Sequence, residues 1–163
     1  LRSEAYTART RCRLTYARDV IRVEYFPYRV RPVHSLRLAV KDDIDYRYKQ
    51  ADRHVLDEVF ALRDTADDVL IVRHGLLTDT SIANIALWDG CEWHTPAQPL
   101  LPGTQRRYLL DTGQIKETDI PVASLGNYRY IRLFNALIPF GEVELPVADT
   151  YVLIRVAAYS TSS

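Results

Sequence analysis

Ala51, Val55, Leu56, Val59, Phe60 and Leu62 recur at helical spacing, with short strand-like runs on either side of them. A helix with one apolar face must bury it on a partner layer, and the partners this sequence offers are strands. Residues 35–40 read as a strand before the helix. Residues 68–73 read as a short β-branched strand after it, ending at His74-Gly75. Residues 85–88 and 91–93 flank Asp89-Gly90, a strong short-range hairpin signal. Nearer the start, residues 11–16 and 20–26 read as two strands around a turn at Ala17-Arg18-Asp19; Ile21, Val23 and Tyr25 alternate with Arg22 and Glu24. Gly103 precedes a second helix through Leu110, which Gly113 terminates, and residues 131–133 read as one more buried strand. Strands and helices mix without a regular βαβ rhythm, so the expected class is α+β rather than a Rossmann-like sheet. Pro27 and Pro32 break the strand pattern and mark a boundary, giving domains 1–32 and 33–163.

Composition narrows the partners. The 163 residues are 47% hydrophobic, enough for one large domain or a domain with a small satellite. Lysine plus arginine and aspartate plus glutamate each number 21, so no basic excess points to nucleic acid and no acidic excess to a solvating tail. Cys12 and Cys91 are too few and too far apart for a disulfide framework, and each is expected to be buried as a small hydrophobe. The most apolar stretch, residues 131–140, contains Arg132, Asn135 and Pro139 and is too short to span a membrane. Arg2, Glu4, Arg9 and Arg11 leave no apolar core for a signal peptide, and a cytoplasmic protein is expected. The chain starts at Leu1 and contains no methionine, from which a missing natural N-terminal segment is expected.

Three segments carry possible chemistry. The run Leu100-Leu101-Pro102-Gly103-Thr104-Gln105-Arg106 opens a helix, and a helix N-terminus presents free N–H groups and partial positive charge to an anion. Arg106 and Arg107 oppose the dipole there, which a bound anion would offset; alone, the segment reads first as an ordinary turn with solvated arginines. Lys49 follows Tyr46-Arg47-Tyr48 at a strand-to-helix junction, where desolvation lowers a lysine pKa and suits a Schiff base. Most lysines so placed are nonetheless solvated. Asp79 lies among hydroxyls in Thr78-Asp79-Thr80-Ser81 before Asn84, and by itself reads as a side-chain-stabilised turn. His34, His54, His74 and His94 have no metal-ligand spacing, so no metal site is expected.

Taken together, the segments resemble fold-type IV enzymes that use pyridoxal 5'-phosphate (PLP), the class IV aminotransferase and 4-amino-4-deoxychorismate lyase family. That family has a lysine before a helix, a strand ending in glycine, Thr-Glu-x-x-x-x-Asn, a hairpin reaching Thr-Pro, Leu-x-Gly-x-x-Arg, and an Asn-Ala or Thr-Ala pair. The corresponding residues are Lys49, Gly75, Thr78-Asp79 with Asn84, Thr95-Pro96, Leu101 to Arg106, and Asn135-Ala136. The likeness runs from about residue 35 to 137 and less clearly back to 11. It implies a small α/β domain, partly missing, and a larger pseudo-barrel domain that binds PLP.

By the same resemblance, Lys49 is the Schiff-base lysine and shuttles the Cα proton. Asp79, in place of the usual glutamate, faces the pyridine nitrogen. Leu101 packs on the ring, and the backbone N–H groups of Thr104 and Gln105 hold the phosphate, with Asn135 and Ala136 completing its cradle. Gln105 stands where the family often has threonine, so a hydroxyl contact is lost. Ser81 and Asn84 hold the Asp79 segment rather than touch substrate. Arg13 resembles a small-domain position that can meet a substrate carboxylate. The family's N-terminal phosphate-binding arginine has no counterpart here. The implied reaction is amino-group transfer between an amino acid and a 2-oxo acid, with the lyase reaction on aminodeoxychorismate as the alternative. A degenerate, non-catalytic relative is a third reading, disfavoured because both Lys49 and a carboxylate at 79 are present. A homodimer is expected, with Tyr25, Tyr28 and Tyr46 as interface candidates.

Overall fold

The computed structural model describes residues 8–16, 18, 20–44 and 53–150. Lys49 and Tyr46 lie outside the described residues. The chain divides into two compact units, Leu1–Arg31 and Pro32–Ser163.

The first unit holds an antiparallel ribbon of β1 (Thr10–Tyr16) and β2 (Val20–Pro27), with Arg13 opposite Glu24 and Leu14 opposite Val23. The side chains of Arg11, Arg13 and Cys12 are all exposed. Cys12 is therefore no buried hydrophobe, because a two-stranded ribbon has no interior to receive it.

In the second unit, β3 (Leu36–Val40) and β4 (Asp68–Arg73) run parallel, joined through helix α1 (Arg53–Ala61). Parallel neighbours need such a crossover. Val55 and Leu56 pack against a core of Ala39, Ile44, Val59, Val69, Ile71 and Leu100, as the helical spacing requires. Leu62 departs from that spacing: the helix ends at Ala61 and Leu62 is exposed. Strand β4 is buried from Asp68 to Val72, and its run from Val69 to Val72 is the continuous apolar pattern of a strand covered on both faces. It returns antiparallel as β5 (Leu76–Thr80) over His74 and Gly75, whose φ values of +52° and +76° are those of a two-residue hairpin turn.

A second sheet has the order β10-β9-β6-β7-β8, from β6 (Asn84–Trp88), β7 (Trp93–Pro96), β8 (Lys116–Thr118), β9 (Tyr130–Phe134) and β10 (Val143–Pro146). Strands β7 and β8 run parallel and are joined by helix α2 (Thr104–Asp111), so each of the two sheets of this unit contains one βαβ step. The Asp89-Gly90 hairpin forms, but its return strand begins at Trp93 rather than at residue 91. The side chain of Asp89 accepts the N–H groups of Cys91 and Glu92 at 2.7 and 2.8 Å, which makes residues 89–92 a loop and leaves Cys91 exposed. Helix α2 follows Gly103 and ends at Asp111, two residues before Gly113, whose φ of +71° turns the chain, with the N–H of Gln114 reaching back to the Leu109 carbonyl at 2.9 Å. A 3-10 turn (Val122–Asn127) and a last short helix α3 (Val147–Thr150) close the described chain. No helix among the described residues is long and apolar enough to cross a membrane.

Candidate functional site

Asp79 sits near the end of β5, and its residue is only 4% exposed. The hydroxyl- and acid-rich run Leu76–Thr80, which in isolation resembles a turn, is a buried strand because each polar group finds a partner. The hydroxyl of Thr78 donates to the Ile71 carbonyl at 2.9 Å. The turn comes just after, where the Thr80 hydroxyl accepts the N–H of Ala83 at 3.1 Å and Thr80 N–H donates to the Ala83 carbonyl at 3.0 Å. The hydroxyl that shapes this turn thus belongs to Thr80 rather than Ser81.

The Asp79 carboxylate is held at both oxygens. Oδ1 accepts from Asn84 Nδ2 at 2.9 Å, and Oδ2 accepts the N–H groups of Leu100 and Leu101 at 2.7 and 3.0 Å. Burial pushes the Asp79 pKa up to about 6, while the Asn84, Leu101 and Leu100 donors and the charge of Arg106 pull it back. Three donors on four lone-pair sites leave acceptor capacity on this carboxylate.

Asn84 does more than hold Asp79. Its Nδ2 also donates to the Leu101 carbonyl at 2.7 Å, and its Oδ1 lies where a Cβ on Gly103 would fall, at 2.5 Å. Glycine at 103 therefore lets the start of α2 close on Asn84. At that helix end the first amides, those of Thr104, Gln105 and Arg106, have no acceptor within the helix. Thr104 is exposed and Gln105 is half-buried.

Of the two arginines of the first turn, Arg107 is solvated as expected and Arg106 is not. Arg106 is 6% exposed, and its Nη2 donates to the Pro96 carbonyl at 3.0 Å and to Glu117 at 2.8 Å. Arg107 pairs with Asp111 one turn on, at 3.0 Å.

The loop after β9 joins the same cluster. Gln105 Nε2 donates to the carbonyls of Asn135 and Ile138, the latter at 2.9 Å, and its Oε1 accepts the N–H of Phe140 at 2.8 Å. Asn135 Nδ2 donates to the Ile82 carbonyl at 2.9 Å, and its Oδ1 accepts the N–H groups of Leu137 and Ile138. Ala136, between them, is exposed.

Asp79, Leu101, Thr104, Gln105, Asn135 and Ala136 therefore fall on three segments stitched together by side-chain hydrogen bonds. Arg13 lies in the other unit, exposed on β1. The parts that sequence reasoning missed are the buried Arg106–Glu117 pair and the two ties made by Gln105 and Asn135. Their partners lie 11 to 53 residues away, beyond any local pattern.

His54 meets Glu58 at 3.1 Å, whereas His94, Asp89 and Glu92 bring ligand atoms within 4.8 Å of one another on the β6–β7 hairpin. Each is already engaged. His94 contacts Tyr128 and Glu92 at 3.1 Å each, Glu92 pairs with Lys116, and Asp89 caps its own loop.

Residues 12–144 match the amino-transferase class IV family. An uncharacterized protein of Haemophilus influenzae is 36% identical over 127 residues, covering 78% of this chain and 68% of that protein. A provisionally assigned 4-amino-4-deoxychorismate lyase from Haemophilus somnus superposes with a TM-score of 0.74 at 35% identity, over 79% of this chain and 66% of that one. A provisionally assigned amino-acid aminotransferase from Mesorhizobium loti gives 0.68 at 25% identity, over 83% and 72%. The fold is also that of an aminotransferase from Brucella abortus solved with PLP bound, with a TM-score of 0.54 at 14% identity. The chain spans just under two thirds of the length of the Haemophilus somnus protein. It is a mixed α/β chain of fold-type IV, and it belongs to the class IV aminotransferase family.

Proposed function

We propose that this chain is the core of a PLP-dependent enzyme that transfers an amino group between an amino acid and a 2-oxo acid. The observation that carries the reading is the buried, triply donated carboxylate of Asp79 next to the start of α2, inside the family-matched span. These residues fit the group. Asp79 offers an acceptor for a protonated ring nitrogen, and the α2 amides lie a few residues along the chain for a phosphate.

In this reading Lys49 holds the cofactor covalently and moves the substrate Cα proton. Leu101 covers the ring, and the backbone of Thr104 and Gln105 meets the phosphate beside Asn135 and Ala136. When bound, PLP supplies the electron sink that makes the Cα proton acidic. Asp79 keeps a proton on the ring nitrogen, which its remaining lone pairs and nearby amide donors suit it to do. Arg13 receives a substrate carboxylate. The enzyme works as a cytoplasmic homodimer, with Tyr25 and Tyr28 among the interface residues.

A second reading, release of pyruvate from 4-amino-4-deoxychorismate to form 4-aminobenzoate, is favoured by the assignment given to the Haemophilus somnus relative. Both reactions begin with loss of the Cα proton, so the same residues serve either. Offering PLP-loaded protein amino donors with a 2-oxo acid, and separately aminodeoxychorismate, distinguishes them: new amino acid marks transfer and pyruvate marks the lyase. Neither product would sink the catalytic reading.

A further inference from the structure

Gln105 is the second residue of α2, yet its side chain turns away from the helix end and into the loop after β9. Both hydrogens of Nε2 are used, on the carbonyls of Asn135 and Ile138, and Oε1 is taken by the N–H of Phe140. A carboxamide has two hydrogens to donate, so this one has none left for an anion. Asn135, which Gln105 grips, in turn reaches the Ile82 carbonyl in the turn after β5. One side chain thus begins a tie that runs from the start of α2 through the 135–140 loop to the 81–83 turn.

The charges nearby sharpen the role. Arg106 is directed to Pro96 and Glu117, and Arg107 to Asp111. An anion at the start of α2 would meet the backbone amides that lack a helical acceptor, whereas Arg106 Nη2 is committed to Pro96 and Glu117 and its Nε, which has no partner, is buried. Amide donors bind well only when their spacing and direction are fixed.

We infer that Gln105 is a positioning residue: without contacting the phosphate of PLP through its side chain, it fixes the α2 amides against the 135–140 loop and so sets affinity for that phosphate. The inference rests on the cofactor reading above. It replaces a hydroxyl contact with the phosphate, the role of a threonine at this position, by a tie that acts through the backbone.

Pyridoxal, which lacks the phosphate, separates positioning of the cradle from general support of the fold. The dissociation constants of PLP and of pyridoxal are measured by absorbance titration for wild type and for Gln105→Met, which keeps the length and loses all three hydrogen bonds. Thermal melting without ligand shows that the variant is folded. If it is not, Gln105→Ala, which lets water reach the freed carbonyls, carries the same comparison. The expected result is PLP affinity lowered about tenfold or more, the scale of a hydrogen bond to a charged group, with pyridoxal affinity changed less than about twofold. Unchanged PLP affinity, or equal loss for both ligands, overturns the inference while wild-type preference for PLP leaves the cofactor reading standing. A wild-type protein that binds PLP no better than pyridoxal overturns both.

Discussion

The β1–β2 ribbon and the β4–β5 hairpin are both antiparallel pairs of short strands, and their side chains meet opposite fates. In the ribbon, Leu14, Val23 and Phe26 are 39%, 41% and 43% exposed. In the hairpin, Val69, Leu70 and Ile71 are 0% exposed, and even Thr78, Asp79 and Thr80 are buried. Strand pairing is common to both, so pairing does not make the difference. Strand β4 has β3 beside it and α1 against its sheet, whereas β1 and β2 form a sheet of two, which is marginal by itself. A carboxylate can be fixed and its acidity tuned only where the surroundings exclude water and supply donors. That is why the candidate site lies on β5 and not on the ribbon.

The largest loss of stability is expected in the core. Leu87→Ala, at a fully buried position of β6, is expected to cost about 2–5 kcal/mol in chemical denaturation. Gly103→Ala drives a Cβ against Asn84 Oδ1 and is expected to cost about 1–3 kcal/mol, with the start of α2 losing its close approach to Asn84. An effect of Gly103→Ala within error of zero would mean that Asn84 gives way freely.

The Asp79 carboxyl makes a pH-dependent contribution. Its pKa in the fold, about 6, lies above the ordinary 3.8, so between these values the folded chain binds more protons than the unfolded one. The stabilisation by protonated Asp79 is complete below pH 3.8 and is lost as pH rises through about 6. Relative to Asp79→Asn, the wild type should therefore gain about 1–3 kcal/mol as pH falls across that window. A constant difference between the two proteins would show that Asp79 is not desolvated. The same substitution is expected to retain PLP and lose about a hundredfold or more in turnover, since an amide cannot keep a proton on the ring nitrogen. At the small end, Leu14→Ala in the ribbon should change the stability of the 163-residue chain by no more than about 0.5 kcal/mol.

These contrasts also explain what could be read from the residues. The Asp89-Gly90 loop, the Gly103 and Gly113 limits of α2 and the apolar run of β4 were legible because each depends on neighbours a few residues away. Strand β8, Lys-Glu-Thr, has no periodic signal at all and is a strand only because β7 pairs with it in parallel. Leu76–Thr80 resembled a turn because its hydroxyls and carboxylate are buried only with partners as distant as Leu101. At the site, motif order named the segments, but it could not show that Gln105 spends its amide on the 135–140 loop and Asn135 reaches the 81–83 turn. Arg106 looked like a surface cation for the same reason: Glu117, its counter-charge, sits on a strand that no pattern announced.

In the proposed reading the chain builds a PLP site served by Lys49, with Asp79 facing the ring nitrogen. The most direct measurement is borohydride reduction of the PLP-loaded protein, followed by peptide mass spectrometry. A pyridoxyl group on Lys49 is expected; finding it on Lys41, or on no lysine, would rule out Lys49 as the cofactor lysine.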